Sequence, residues 1–302
     1  MNILKFRFVG CCLAAACLTP TIVFADQAVI NDPATGTGAY WGGMVTWDGN
    51  TDPIPSNSDV VGPIGHYDVA QMTVDRTATS LTVTLTGNYF KWAEADRFVG
   101  DLFLSTKGWT PYSGPDPDNY GGPPTYSMDN LTAPGSTVWN YVLHIDGVSS
   151  SDPVGTAVSP DGSVQKGKIS LYAVDSSGTI IKPEDLLYMA PNGQMITQGN
   201  EYYRENQAVA YDPNDPNGQK ALEVGDWLLD PNGTLTFSLN GVNLGDYGLD
   251  SDLLAFHWTM SCGNDIIEGS MSGGPAVPEP ATMMLFGLGL SGLAAYRIRR
   301  KK

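Results

Sequence analysis

Leu81-Thr82-Val83-Thr84-Leu85-Thr86 and Thr234-Leu235-Thr236-Phe237-Ser238-Leu239 each alternate a large apolar residue with a hydroxyl residue, without a break. A period of two puts all the apolar side chains on one face of an extended strand and all the hydroxyls on the other. Such strands bury one face and wet the other. Working outward, a similar signature recurs at 67–74, 101–105, 138–145, 168–174 and 253–260, with weaker stretches at 39–47 and 202–211. Turn pairs separate them: Asp146-Gly147, Asp161-Gly162, Asn192-Gly193, Asn217-Gly218, Asn232-Gly233 and Asn240-Gly241. No interior segment holds a helical period, and only short helical turns are expected, near 91–97 and 183–188. Many short strands between Gly/Pro turns predict an all-β chain, with a single β-sandwich or jelly-roll-like domain.

Composition agrees. The 302 residues include 35 Gly and 21 Pro, against the pattern of a helical bundle, while 42% hydrophobic and 10% aromatic residues supply a core. The 16 Lys and Arg face 32 Asp and Glu, a net charge of −16. That balance excludes a nucleic-acid binder, which needs clustered cations to neutralise phosphates.

The two ends read as addresses. Lys5 and Arg7 precede an apolar run over 8–18 and then Val23-Phe24-Ala25. A basic start, a run too short to span a bilayer and a small residue at the stop predict a Sec signal peptide over 1–25, cleaved after Ala25. At the other end a Gly/Pro linker over 271–277 leads to Pro278-Glu279-Pro280. An apolar run over 281–296 follows, and then Arg297, Arg299, Arg300, Lys301 and Lys302. The run is close to the roughly 17–25 residues of a spanning helix, and arginine stems extend its reach. Its basic flank fixes that end on the cytoplasmic side, so 26–270 faces outward as an acidic ectodomain. The prolines keep the tripeptide extended, and Glu279 keeps it in the aqueous interface.

Tripeptide, apolar helix and basic tail, in that order over 278–302, resemble the PEP-CTERM sorting signal of Gram-negative bacteria. The resemblance implies recognition of Pro278, Glu279 and Pro280 by a membrane protease, an exosortase. It further implies an inner-membrane-anchored intermediate and a product at the cell surface or outside the cell, linked to exopolysaccharide or biofilm. The segment 256–269 resembles stretches of other ectodomains that precede this signal, and no activity attaches to it; Asn264-Asp265 before Ile266-Ile267 reads as a turn entering the last strand.

Three of the four cysteines lie in the signal peptide, leaving Cys262 alone and no intramolecular disulfide. The span 26–277 keeps nine basic and 31 acidic residues, near −22. Such a surface suits divalent cations. Asp212, Asn214, Asp215 and Asn217 gather oxygen donors in one turn as a candidate calcium site, although Pro216 and Asn217 stand where an EF-hand loop needs a ligand and a glycine. Asp-Pro-Asn is also ordinary turn chemistry.

The long Pro/Gly-rich loop over 107–134 holds Trp109, Tyr112, Tyr120 and Tyr126. Flat aromatic faces beside carboxylates suit sugar rings, so Trp109, Tyr112 and Tyr120 are the candidate ligand-binding residues. No cofactor is required by any motif. Glu94/Asp96 and Glu201/Glu205 are conceivable acid pairs for glycoside hydrolysis, a chemistry set by spatial separation. His66, His144 and His257 are scattered, outside any HExxH context, and His144 and His257 read as strand residues. The expectation is a non-catalytic structural or binding module, with a secreted polysaccharide-active enzyme as the alternative.

Overall fold

The computed structural model describes residues 26–32, 60, 64–91, 99–111, 131, 135–146, 164–175, 178–186, 207–213, 219–261, 263 and 265–271. The chain forms β1 (Asp26–Asn31), β2 (Gln71–Arg76), β3 (Ser80–Thr86), β4 (Leu102–Ser105), β5 (Tyr141–Ile145) and β6 (Gln165–Ala173). It continues through β7 (Thr179–Ile181), β8 (Ala210–Asp212), β9 (Glu223–Asp230), β10 (Thr234–Asn240), β11 (Ala255–Thr259) and β12 (Ile266–Ser270). Helical turns are short: Ile64–Tyr67, Tyr89–Lys91, Pro183–Leu186 and Leu244–Tyr247.

Ten strands make one antiparallel sheet in the order β1-β2-β3-β10-β9-β6-β5-β4-β11-β12. β7 and β8 pair apart from it. Sequence neighbours form hairpins, while β3–β10, β6–β9 and β4–β11 join strands far apart in the chain. The sheet rolls until its two edges meet, where the Ile30 side chain of β1 sits on Gly269 of β12. A Cβ at Gly269 would lie 2.8 Å from Ile30 Cγ2, so glycine is what lets the edges approach. The all-β architecture expected from the sequence is thus a single, almost barrel-like sheet.

Its interior is the core. Met72, Val74, Leu81, Val83, Leu85, Leu235, Phe237 and Leu239 point inward from one half, and Leu102, Leu104, Leu143, Ile145, Phe256, Trp258 and Ile267 from the other. Each such side chain contributes about 1.5–3 kcal/mol on burial. Trp258 packs against Phe90 and Tyr89 at ring-centroid distances of 5.3 and 6.0 Å, and its Nε1–H donates to the Gly100 carbonyl at 2.9 Å. Arg76 turns inward too: Nη1 donates to the carbonyls of Leu249 and Ser251, and Nη2 pairs with Asp26 at 2.9 Å. That guanidinium joins β2 to the segment after 244–247.

The two halves differ outside. On β4, β5 and β11 the outward residues Phe103, Val142 and Ala255 lie beneath a second layer made by Trp139, Ala208 and Tyr211, with Trp109, Leu131, Tyr172, Val174 and Ile180 at its margin. On β1, β2, β3, β10 and β9 the outward face has no such layer among the described residues. The strand β6 crosses from one regime to the other, with Lys166 and Lys168 exposed and Ser170 buried.

No helix among the described residues is long and apolar enough to cross a membrane. The segments assigned from sequence to the signal peptide and the C-terminal helix lie outside the described residues.

Candidate functional site

Two regions hold chemistry-bearing side chains. Beneath the second layer, two histidines are paired with carboxylates. In the first pair, His144 of β5 places Nδ1 2.8 Å from Asp101 Oδ2, just ahead of β4. Asp101 is fully buried and also accepts the backbone N–H groups of Ile145 and Tyr211, both at 2.8 Å. Three donors satisfy a carboxylate that would otherwise be expensive to bury. Burial by itself lowers the His144 imidazole. The charge and hydrogen bond of Asp101, with Asp146 and Asp212 farther off, outweigh burial and hold it above 6.5, the usual histidine value.

The second pair is His257 of β11 with Glu268 of β12, strand partners in register. Nδ1 lies 2.7 Å from Glu268 Oε1, and Nε2–H donates to the Ala208 carbonyl at 2.8 Å. The other carboxylate oxygen accepts Trp109 Nε1–H at 3.2 Å. Phe103 and Trp139 enclose the ring. Both imidazole nitrogens are therefore occupied, and the pair acts as a clasp from β12 through β11 to the covering layer.

Ser170 stands opposite His144 across the β5–β6 ladder. Serine, histidine and aspartate thus share one face, but Ser170 Oγ–H donates to Asp146 Oδ1 at 2.8 Å, away from the imidazole. The arrangement orders strands. Burial pushes the phenols of Tyr172 and Tyr211 up as well, and Tyr211 Oη–H donates to the Ala173 carbonyl and Gln219 Oε1.

The second region is the open half. Its outward rows follow from the register: Gln27, Asp75, Thr82, Ser238, Asp226 and Lys168 in one, and Val29, Thr73, Thr84, Thr236, Leu228 and Lys166 in the next. Thr84 and Thr236 bring their hydroxyls to 3.4 Å across the β3–β10 ladder. Lys168 Nζ pairs with Asp226 at 2.5 Å, with both side chains more than half exposed. A groove of about 550 Å³ lies where β6, β9 and β10 adjoin, lined by Lys166, Lys168, Asp226, Leu228, Thr236 and Ser238.

Of the residues singled out in the sequence, Trp109 is half-buried and tied to Glu268. Tyr112, Tyr120 and Tyr126 lie outside the described residues. Asp212 is buried at the end of β8, opposite Thr179, whereas Asn214, Asp215 and Asn217 lie outside the described residues. No three His, Cys, Asp or Glu side chains converge as metal ligands among the described residues. Glu94/Asp96, Glu201/Glu205 and Cys262 are outside them too, as are Ala25, Pro278, Glu279, Pro280, Arg297, Arg299, Arg300, Lys301 and Lys302. Sequence reasoning passed over Asp101 and Glu268, whose signal was a lone acid at the start of, or inside, an apolar strand. It also passed over Lys166, Lys168, Asp226 and Leu228.

No curated protein and no solved structure matches the chain. Residues 276–301 match the family model of the PEP-CTERM protein-sorting motif. The chain carries a PEP-CTERM sorting motif over those residues and is an exported protein sorted by an exosortase.

Proposed function

We propose that this exported chain is a non-catalytic binding or structural module that works at the cell surface or in the extracellular matrix, in association with exopolysaccharide. On this reading it leaves the cytoplasm through the Sec machinery, is held in the inner membrane by its C-terminal helix, and is processed at Pro278-Glu279-Pro280. The observation that carries the proposal is the open half of the sheet: an extended hydroxyl-bearing face with a groove, over which no second layer lies among the described residues. A large flat partner has access to it. The His257–Glu268 pair supports the same reading, because both imidazole nitrogens are spent on β12 and on the covering layer. Calcium, through Asp212 and the turn that follows it, enters the proposal as a stabiliser of one loop.

Retention of the purified full-length chain on the source organism's own exopolysaccharide, with calcium and with chelator, tests this. Retention with unchanged polymer length is the expected result. Absence of retention in both conditions overturns the binding role. Shortened polymer replaces it with the alternative, a polysaccharide-active enzyme.

A further inference from the structure

The groove on the open half combines features that alternating wet strands do not by themselves require. Threonine facing water is what a half-buried strand commonly selects. Less expected is Leu228, 41% exposed, lying in the middle of a polar row between Thr236 and Lys166. Together with the lysine methylenes it makes the walls of the groove mostly carbon. Polar groups are also among the lining residues: Thr236 and Ser238 both donate and accept, Asp226 accepts, and Lys166 and Lys168 donate. The volume of about 550 Å³ falls within the roughly 300–1,000 Å³ in which proteins hold small ligands.

The groove is also open-ended. Its two rows continue over β10 onto β3 through Thr82 and Thr84, and onto β2 through Asp75 and Thr73. Successive positions in a row are about 4.8 Å apart and the two rows about 6.8 Å apart, as strand geometry requires. A ligand seated on Leu228 can thus extend along a regular array of hydroxyls. Carbon faces with hydroxyl edges, repeated along a chain, describe a polysaccharide.

Charge decides which kind. The chain as a whole is at −16, and its field opposes a polyanion. A polycation would be drawn to acidic surface generally, whereas this groove holds two of the nine basic residues of 26–277. Across the open face Asp75, Asp226 and Asp230 stand against Lys166 and Lys168, close to balance. Lys168 is neutralised by Asp226. Lys166 faces Leu228 across the ladder and makes no ion pair among the described residues, so its ammonium is open to a hydroxyl. We propose that the groove along β6, β9 and β10 is a binding site for a neutral, extended polysaccharide. The assignment rests on the binding-module reading and names its site and ligand class.

Native affinity electrophoresis of the full-length chain in detergent tests it, with hydroxyethylcellulose, galactomannan or dextran in the gel and alginate as the polyanion. At least one neutral polymer retards the chain, and Leu228→Asp weakens its apparent Kd about tenfold, the loss typical of an anchoring contact. Lys166→Ala weakens it less. Both positions are exposed, so circular dichroism and melting temperature stay at the parent values. The site is refuted if no neutral polymer retards the chain, or if Leu228→Asp runs like the parent. Retardation by alginate alone refutes the neutral class. Undiminished retention of Leu228→Asp on the source organism's exopolysaccharide removes this site and leaves the binding module standing.

Discussion

His257 has no nitrogen to spare: one lies against Glu268 and the other donates to the Ala208 carbonyl. Truncating Glu268 to Ala leaves the imidazole facing an empty, buried position, with Trp109 released as well. The expected loss is about 3 kcal/mol or more, read from urea unfolding. Replacing His257 and Glu268 together by apolar residues of similar volume costs less than the single change, because no buried polar atom is stranded. His144 offers a pH test. Its value is raised in the folded chain, so the pair adds stability in full below 6.5, and that stability is lost as pH climbs through the raised value. Melting temperature therefore falls as pH rises past 6.5, and His144→Gln flattens that part of the profile. A parent-like slope in the variant assigns the effect elsewhere. Both histidines were legible as strand residues, but their partners were not: Asp101 is 43 positions from His144, and 31 acids between 26 and 277 hide any one of them.

At the level of elements, the clean alternations at 81–86 and 234–239 lie in β3 and β10, adjacent and in register inside the sheet. The strand between β10 and β6 was not legible. In Glu223–Asp230 the outward positions include Val224 and Leu228, so apolar residues stand on both faces and the period of two is blurred. Of those outward apolar residues, costly to pattern recognition, Leu228 is the one that lines the groove. β1 escaped notice for the opposite reason, since Gln27, Val29 and Asn31 all face outward and only Ala28 and Ile30 supply an inward signal. The end of the weak stretch at 202–211 belongs to β8, while 202–206 and 39–47 lie outside the described residues. The Asn232-Gly233 turn was legible and joins β9 to β10, with Gly233 at φ +103°. A Cβ there would come 2.6 Å from Lys91 Cε and 3.0 Å from the Gly87 carbonyl. Gly233→Ala is expected to cost about 1–3 kcal/mol, seen as a lower melting temperature. An unchanged melt would mean that the hairpin relaxes into another turn.

For the whole molecule, the sorting motif sets a prediction independent of the fold. Exchanging Pro278, Glu279 and Pro280 for alanines removes the tripeptide of the sorting motif, so unprocessed chain is expected to accumulate in the membrane fraction. Immunoblots of membrane and medium read this out, and parent-like processing of the triple variant would place exosortase recognition outside the tripeptide. Against the net charge of −16, the outward face of β2, β9 and β6 is close to balance, with Asp75, Asp226 and Asp230 beside Lys166 and Lys168.

Sequence alone determined the class of fold, the sorting address and the turns at Asn232-Gly233 and Asn240-Gly241, because each rests on residues close together in the chain: a period of two, a short motif with an apolar run and a basic flank, a glycine after an asparagine. Tertiary structure decided which half of the sheet is covered, which carboxylate meets which histidine, and where Leu228 joins Lys166 and Thr236. Those features depend on the register between strands about 150 residues apart in the chain, as where Ala255 pairs with Ser105 and Leu235 with Leu85. Such register is set by closure of the whole sheet around its core, and no local pattern encodes it.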